Sequence, residues 1–562
     1  MIDLLTEIYG CLIKQLPPGL DPAVICEIPK AEFGDLAIPC FVMAREQKRK
    51  PQEIAQDLMS RMTTDPDIMN LCTLSVSGGY LNFRFNDLVL SRAMMEQNRR
   101  GTEIGFLPQN GQRVVIDFSS PNIAKPFSIG HLRSTSIGNS LSRIMTASGY
   151  EVIGINHLGD WGTQFGKMIW AFRRWGDGQR LETEGIRYLL ELYVKFHSEA
   201  ELDTSLEEGA REEFRKLENN DPDNRMLWKK FIEISLSEFR RIYQRLGVEF
   251  SYYLGESFYE DKLASTVHRL EEQGILVESE GALVVMLDDK NLPPALIKKS
   301  DGTTLYLTRD LASALYRHEF LQADKLVYVV GSEQKMHFQQ LKEVIRKLGC
   351  DWADQVVHVD FGLFRFAGEK MSTRKGNVIF MDEVMNEAKE TVLQIIEEKN
   401  PNLPDKEEIA ESVGTGAIIF GDLVNERIKN VVFTWEKMLN FEGETGPYVQ
   451  YAQARCRSIL RKAGTFEKGV LPDQINEYER ELLREIFLYT LKISKAALHY
   501  KPHFIAEAVI LISRALNRFY ANCPVIKSEG RSRDFRLELI ELTANALKGG
   551  LYLLGIRAPE EM

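Results

Sequence analysis

A short apolar run near residue 115 limits what this chain can fold into more than any other feature. Residues 114–118 are nearly continuous in apolar and β-branched side chains, and Ser-Ser-Pro-Asn follows at 119–122. Such a run is typical of a buried parallel strand that ends in a turn. Helical spacing of the next apolar residues predicts a helix from about Gly130 to Ser148. Strand, turn and helix together predict a Rossmann-type nucleotide-binding corner.

The sequence Ser128-Ile129-Gly130-His131 begins the predicted helix. Gly130 lets a ligand approach the backbone, and His131 stands beside free N–H groups that favour an anionic phosphate. Taken alone, a glycine and a histidine are more typical of an ordinary helix start. A second motif decides between the two interpretations.

The second motif is a basic segment bounded by glycines, residues 368–377, with the sequence Gly-Glu-Lys-Met-Ser-Thr-Arg-Lys-Gly-Asn. Its three cations within six residues suit a mobile loop that closes over a triphosphate and neutralises charge on the leaving pyrophosphate. Most charged runs are solvated turns. The two motifs in this order nevertheless indicate ATP chemistry.

Both motifs resemble the HIGH and KMSKS signatures with which class I aminoacyl-tRNA synthetases handle ATP. Further stretches are similar to arginyl-tRNA synthetases in particular, namely residues 119–134, 156–166, 255–259, 305–312, 330–334, 445–455 and 554–562. The resemblance covers essentially the whole chain. It implies a multidomain α/β protein with a Rossmann-type class I catalytic domain, an α-helical anticodon-binding bundle and a small α+β N-terminal domain.

The length of 562 residues favours about four domains of ordinary size. By resemblance, residues 1–108 form the N-terminal domain that contacts the elbow of tRNA. Residues 109–423 form the catalytic domain, with a helical insertion at about 181–246, and residues 424–562 form an almost wholly helical anticodon-binding domain. Further strands of the catalytic sheet are predicted near residues 152–156, 325–330 and 356–359.

The resemblance also implies the residues of the active site. The expected catalytic residues are His131, Lys370 and Lys125. ATP is expected to contact Ser128, Gly130, His131, His337, Lys370, Met371 and Ser372. L-Arginine is expected to contact Asn122, Ser128, Glu256, Tyr306, Asp310 and Gln334. No metal ligands are expected in the protein, and Mg²⁺ is expected to arrive with ATP.

Elementary chemistry agrees with this arginine site. A planar guanidinium needs acceptors, preferably carboxylates in bidentate geometry, and Glu256 and Asp310 supply them. Tyr306 precedes Asp310 by four residues, so a helix over both would place them on one face. Taken singly, an acid in a turn is usually solvated and a tyrosine is usually part of a core. These assignments therefore depend on the resemblance.

Two positions depart from the family pattern. Ser128 stands where the first signature normally has a histidine, and the loss of one charge-assisted contact to ATP or substrate could cost on the order of a hundredfold in rate. Thr373 stands where the second signature has its second lysine, a charge that Lys375 or Lys125 could replace.

The resemblance implies an ATP-dependent arginine–tRNA ligase. It would activate L-arginine to arginyl-adenylate, release pyrophosphate, and transfer arginine to the 3′-terminal ribose of tRNA(Arg), with tRNA expected to be bound before activation. Ser128 supports one alternative, a synthetase-like paralogue that charges poorly and acts as a tRNA- or arginine-binding regulator. Another HIGH-type nucleotidylyltransferase is disfavoured because it would not need residues 424–562.

Composition fits a soluble protein of the cytoplasm, and the protein is expected to be a monomer. No apolar run is long enough to span a bilayer, and the start of the chain lacks the basic and apolar segments of a signal peptide. Seven single cysteines without zinc spacing predict a reducing compartment and no zinc site. The net charge of −11 does not favour RNA binding, so tRNA contact requires local basic stripes. Candidate stripes are Arg45, Lys48, Arg49 and Lys50, and Arg455, Arg457, Arg461 and Lys462.

Overall fold

The computed structural model describes residues 4–299, 306–366 and 379–562. The chain forms two compact units. The first unit combines both ends of the chain, Met1–Leu107 with Phe441–Leu553 and Arg557–Met562, and the second contains Pro108–Asn440 with Leu554–Ile556. Within the described ranges, no helix has the length and apolar character needed to cross a membrane.

The N-terminal part of the first unit combines helices with a small antiparallel sheet. Its helices are α1 Leu4–Gln15, α2 Pro22–Ile25, α3 Phe41–Gln47, α4 Pro51–Met62, α5 Pro66–Leu71 and α6 Asp87–Asn98. Its strands, in the order β1-β3-β2, are β1 Leu36–Pro39, β2 Cys72–Ser77 and β3 Tyr80–Phe85. Gly78 and Gly79 have φ values of 57° and 88°, the left-handed pair that a two-residue hairpin turn requires between β2 and β3.

The second unit contains ten strands and twelve helices within its described residues. The strands are β4 Arg113–Asp117, β5 Glu151–Asn156, β6 Tyr252–Tyr253, β7 Leu276–Ser279, β8 Ala282–Val285, β9 Ala295–Lys298, β10 Lys325–Gly331, β11 Val356–Phe361, β12 Phe364–Phe366 and β13 Val431–Phe433. The helices are α7 Leu132–Ala147, α8 Thr163–Trp175, α9 Gly178–Glu184, α10 Ile186–Leu202, α11 Ser205–Glu218, α12 Pro222–Leu246, α13 Leu263–Glu272, α14 Tyr306–Glu319, α15 Lys335–Lys347, α16 Met381–Lys399, α17 Lys406–Leu423 and α18 Trp435–Met438.

A five-stranded parallel sheet in the order β11-β10-β4-β5-β6 forms the centre of this unit. The predicted strands at β4, β5, β10 and β11 are confirmed, as is the helix after β4. The chain runs from β4 to β5 on one side and later returns to β10 on the other side of β4. The strand order therefore reverses between β4 and β10, and a crevice opens there at the carboxyl ends of the strands.

The two central strands are buried because helices pack on the sheet. Val114, Val115 and Ile116 on β4 are almost completely buried, which explains why the strand reads as a continuous apolar run rather than an alternating one. A Cβ atom at Gly138 of α7 would lie 2.2 Å from the ring of Phe118, so only glycine permits this close approach of helix and strand.

Two smaller sheets complete the second unit. Strands β7, β8 and β9 form an antiparallel sheet, and β12 pairs with β13 in parallel. Between β5 and β6, helices α9 to α12 follow α8 and occupy residues 178–246. These helices are amphipathic, with apolar side chains such as Leu189, Phe196, Phe231 and Phe239 buried.

Four helices follow in the first unit, α19 Gly446–Ala463, α20 Glu477–His499, α21 His503–Asn522 and α22 Gly530–Leu553. Helix α20 also meets the N-terminal part of that unit. Its Arg480 lies 2.6 Å and its Arg484 lies 3.3 Å from the carboxylate of Asp35, whose side chain is 1% exposed. The backbone N–H of Phe85 donates to the same carboxylate. Asp35 therefore joins β3 and α20 through a buried ion pair.

Candidate active site

A cavity of about 380 Å³ opens at the carboxyl edge of the parallel sheet. Its wall contains Asp117, Ser120, Asn122, His157, Gly159, Glu256, Tyr306, Asp310, Tyr328, Val330, Gln334, His337 and Phe338. The structure thus brings together six predicted site residues from four separate stretches of sequence, namely Asn122, Glu256, Tyr306, Asp310, Gln334 and His337. Ser128 was also predicted to contact arginine, but it is not part of this wall.

The cavity is acidic around Glu256. This residue begins a 3₁₀ turn, Glu256–Lys262, and its backbone N–H donates to the carbonyl oxygen of Leu158 at 3.0 Å. Burial raises the pKa of Glu256 to about 7, Arg309 opposes that rise, and the carboxylates of Asp160 and Asp310 add to it. A cation placed in the cavity would favour the ionised form of Glu256.

Asp310 lies on the same wall, one helical turn after Tyr306. Both residues belong to α14, so the prediction that a helix places them on one face is confirmed. The Nε2 atom of His337 lies 2.5 Å from Oδ2 of Asp310. Among the described residues, His337 contacts only Oδ2, which leaves Oδ1 of Asp310 for a ligand.

A third acid, Asp117, also lines the cavity and was not predicted. It is the last residue of β4, and Tyr328 pairs with it on β10. Its Oδ2 atom lies 2.8 Å from Nη1 of Arg317, a side chain that is 1% exposed. The hydroxyl of Ser120 donates to Oδ1 at 2.9 Å. The buried guanidinium of Arg317 balances the charge of Asp117, so Glu256 and Asp310 are the acids of the wall that lack a buried arginine in direct contact.

Asn122 is held by an unusual turn after β4. Ser119, Ser120 and Ala124 have φ values of 73°, 48° and 61°, a left-handed conformation that non-glycine residues rarely adopt. The turn pairs with Gly159, because Ile123 donates to the carbonyl oxygen of Gly159 at 3.1 Å. A Cβ atom at Gly159 would lie 2.1 Å from the amide oxygen of Asn122. Glycine at position 159 therefore makes room for the Asn122 side chain.

His157 is a further wall residue without a predicted role. Its Nδ1 atom lies 2.9 Å from the carbonyl oxygen of Leu254. A carbonyl oxygen only accepts, so Nδ1 carries a proton, and in the neutral ring Nε2 is an acceptor. Two sequence signals point to His157: its place directly after a predicted strand, and its position in the family-like stretch 156–166.

The first signature forms a 3₁₀ turn, Ile129–His131, that leads into α7. The backbone N–H of Ser128 donates to Nδ1 of His131 at 3.0 Å, and the Ser128 hydroxyl lies 3.2 Å from the same nitrogen. Burial lowers the pKa of His131 to about 4; the bond to Ser128 opposes this effect, and Lys125 reinforces it. His131 is therefore neutral at pH 7, and because Nδ1 accepts from a backbone N–H, Nε2 carries its proton.

The remaining predicted residues lie around this turn or outside the described residues. Gly130 is exposed, and a Cβ atom there would approach only the Ser128 hydroxyl, at 3.4 Å. The ammonium group of Lys125 lies 5.0 Å from the centre of the Tyr193 ring. Lys370, Met371 and Ser372 fall outside the described residues.

Comparison with known proteins gives matches along the chain. The model for the catalytic domain of class I (R) tRNA synthetases matches residues 92–435. The arginyl tRNA synthetase N terminal domain matches residues 4–85, and the DALR anticodon binding domain matches residues 449–562. An arginine–tRNA ligase of Latilactobacillus sakei is 44% identical over 100% of this chain and 99% of its own length. The chain belongs to the arginyl-tRNA synthetase family.

Other members of the family agree in sequence and fold. Arginine–tRNA ligase 1 of Bacillus cereus is 46% identical over 96% of this chain and 95% of its own length. The arginyl-tRNA synthetase of Thermus thermophilus superposes with a TM-score of 0.85 at 27% identity and 99% coverage of both chains. The Plasmodium falciparum enzyme gives a TM-score of 0.80 at 26% identity, with 99% of this chain and 98% of that chain covered. The predicted family and fold class are thus confirmed.

Proposed function

We propose that this chain is an arginine–tRNA ligase that activates L-arginine with ATP and transfers it to the 3′-terminal ribose of tRNA(Arg). The acidic cavity at the carboxyl edge of the sheet carries the proposal. It presents Glu256 and Asp310 at the switch point of a Rossmann-type sheet, where ligands of such folds bind.

In this proposal the two acids hold the guanidinium of arginine. The planar group offers five N–H donors, and two carboxylates can accept from it in a geometry that an ammonium cannot reproduce. The phenol of Tyr306 and the amide of Gln334 bound the same part of the cavity. Asn122, on the turn after β4, binds the α-amino or carboxylate group, because that turn connects the cavity with the first signature.

Activation requires a carboxylate oxygen of arginine to attack the α-phosphorus of ATP while pyrophosphate leaves. Positioning and stabilisation of phosphate charge are sufficient for this step, and no covalent enzyme nucleophile is needed. His131 donates a hydrogen bond to phosphate from Nε2–H, Lys125 and Lys370 supply positive charge, and Mg²⁺ enters as part of the ATP substrate. Gly130 admits the nucleotide to the backbone.

The second step transfers arginine to tRNA. A hydroxyl of the terminal ribose attacks the carbonyl carbon of arginyl-adenylate, and AMP leaves. We assign residues 1–108 to contact with the tRNA elbow and residues 424–562 to the anticodon. The enzyme is proposed to act as a monomer in the cytoplasm, where free cysteines persist. All seven cysteines are free, and six of them are buried.

The test is transfer of labelled arginine to tRNA(Arg) by wild type and by Asp310→Asn. The variant keeps the shape of the side chain but removes a charged acceptor, so KM for arginine should rise about 10- to 100-fold. Asp261→Asn is the control, since Asp261 is exposed and pairs with its neighbour Lys262. Unchanged KM in Asp310→Asn, or equal charging with lysine, would contradict the proposal.

A further inference from the structure

Arg133 lies in the first turn of α7, two residues after His131, and its side chain is 1% exposed. Its Nε atom lies 2.8 Å from Oδ1 of Asp422, a carboxylate that also accepts from Ser136. Its Nη1 atom donates to two backbone carbonyl oxygens, those of Gly362 and Lys429, each at 2.7 Å. One buried guanidinium thus joins α7 to α17 and to two loops.

Gly362 is the start of the chain segment that leads to the second signature. It follows β11, and β12 is the last described element before residue 367. The N–H of Leu363 donates to Oδ1 of Asn430 at 2.8 Å, and Gly362 donates to the carbonyl oxygen of Arg427 at 2.9 Å. A Cβ atom at Gly362 would lie 2.8 Å from the Asn430 side chain, so the two loops are in close contact.

The other end of that segment is attached to the same part of the chain. The N–H of Ile129 donates to the carbonyl oxygen of Ile379 at 3.1 Å, and Met381 donates to Phe127 at 3.0 Å. Ser128 and Phe380 form an antiparallel bridge between these bonds. Both described flanks of residues 367–378 are therefore hydrogen-bonded to residues 127–133, which carry the first signature.

We propose that Arg133 is a positioning residue for activation: it fixes the backbone that leads to Lys370 relative to His131. The inference rests on the proposed function. A buried ion pair is often no more stabilising than apolar residues of the same volume, so stability alone is a weak reason for this one. Geometry is a stronger reason, because a displacement of about 1 Å in a catalytic group can cost on the order of a hundredfold in rate.

The test is a double-mutant cycle of Arg133→Lys and Lys370→Ala, measured as kcat for arginine-dependent ATP–pyrophosphate exchange in the presence of tRNA(Arg). Lysine keeps the charge but cannot bind Asp422 and two carbonyl oxygens together. Arg133→Lys should lower kcat about 10- to 100-fold with KM for arginine changed less than about twofold. In the Lys370→Ala background the same change should cost less than about threefold, because the group it positions is absent.

Arg143→Lys is the matched control. Arg143 lies on the same helix and also donates to a backbone carbonyl oxygen, that of Gly247, at 2.7 Å. Its effect on kcat should be small and equal in both backgrounds. Asn430→Ala leaves the buried pair intact but removes the bond from Leu363, so it should lower kcat as well. This measurement remains informative even if Arg133→Lys fails to fold.

Three results would overturn the inference: additive effects of Arg133→Lys and Lys370→Ala, normal kcat in Asn430→Ala, or normal kcat in Lys370→Ala. Each requires a wild type that exchanges pyrophosphate. A wild type without exchange in the presence of tRNA(Arg) would instead contradict the proposed function itself, so the two failures are distinguishable.

Discussion

The Nδ1 atom of His131 accepts a hydrogen bond from the backbone N–H of Ser128 at 3.0 Å, and the hydroxyl of Ser128 lies 3.2 Å from the same nitrogen. The residue that replaces the family's usual first histidine therefore contacts the second histidine of the signature. The backbone bond does not depend on the side chain, so it holds the tautomer of His131 whatever residue occupies position 128.

Ser128→Ala should consequently reduce activation only moderately. Loss of one neutral hydrogen bond corresponds to about 1 kcal/mol, so kcat for pyrophosphate exchange should fall about 2- to 10-fold. Ser142→Ala is the control, because Ser142 bonds to the carbonyl oxygen of Gly138 on the same helix. A loss of a thousandfold in Ser128→Ala would show that the hydroxyl contacts the reacting groups directly.

Arginine binding should strengthen as the pH rises through 7. The pKa of Glu256 is raised to about 7, and a bound guanidinium lowers it, so binding releases a proton below neutral pH. KM for arginine should rise by up to about tenfold per pH unit below 7 and level off above 8. KM measured between pH 6 and 8.5 tests this, with Glu256→Gln as the variant that removes the dependence. A KM for arginine that does not change with pH in wild type would contradict a role for ionised Glu256 in arginine binding.

Glu256→Gln should also stabilise the ligand-free protein at alkaline pH. Because the folded-state pKa of Glu256 lies above its ordinary value, the stability of the fold decreases as pH rises between about 4.5 and 7. The glutamine variant lacks this effect, so its melting temperature should exceed that of wild type by about 2–4 °C at pH 8 and match it near pH 4.5. Thermal unfolding at both pH values measures the difference; equal melting temperatures at pH 8 would refute the expectation.

Gly159→Ala should weaken arginine binding through Asn122. The added Cβ atom would lie 2.1 Å from the Asn122 amide oxygen, so the side chain must leave its position. KM for arginine should rise about tenfold or more, with the fold retained. Gly178→Ala is the control, since no atom lies within 4 Å of a Cβ there. Equal KM values for arginine in the two variants would show that Asn122 takes no part in arginine binding.

Asp35→Asn should destabilise the first unit. The change removes the most deeply buried acid that Arg480 and Arg484 contact and leaves them only Asp87 and Glu485, so it should cost about 3 kcal/mol. Asp57→Asn breaks a pair of the same 2.6 Å length to Arg49, but both partners are exposed, so it should cost less than about 1 kcal/mol. Urea unfolding of both variants measures the loss in free energy of unfolding. Similar losses in the two variants would show that the buried pair stabilises the unit no more than the exposed pair does.

The two strands at the centre of the sheet, β4 and β10, could be predicted from the sequence because they are buried on both faces and form apolar runs. Tyr306 and Asp310 could be paired because helical spacing is local. By contrast, Asp117 was hidden within an apolar run, and its partner Arg317 lies 200 residues away. Nothing local indicates that pairing.

Other contacts were unpredictable for the same reason. The strand β13 interrupts a region expected to be almost wholly helical, and its partner β12 lies more than 60 residues earlier. Two arginines of the predicted RNA-binding stripe on α19 are paired with acids that lie about 100 residues later: Arg457 lies 3.5 Å from Glu560, and Arg461 lies 3.0 Å from Glu561. Composition could not show which arginines of the stripe meet acids of the same chain.

The decisive measurement is arginine-dependent ATP–pyrophosphate exchange on the purified protein, with and without tRNA(Arg). We predict exchange that requires arginine, fails with lysine, and appears when tRNA(Arg) is present. Ser128→His, measured beside wild type, then gives the contribution of the missing imidazole. Absence of exchange in wild type that still binds tRNA(Arg), with exchange restored in Ser128→His, would contradict the account and identify a synthetase fold that acts as a binding protein.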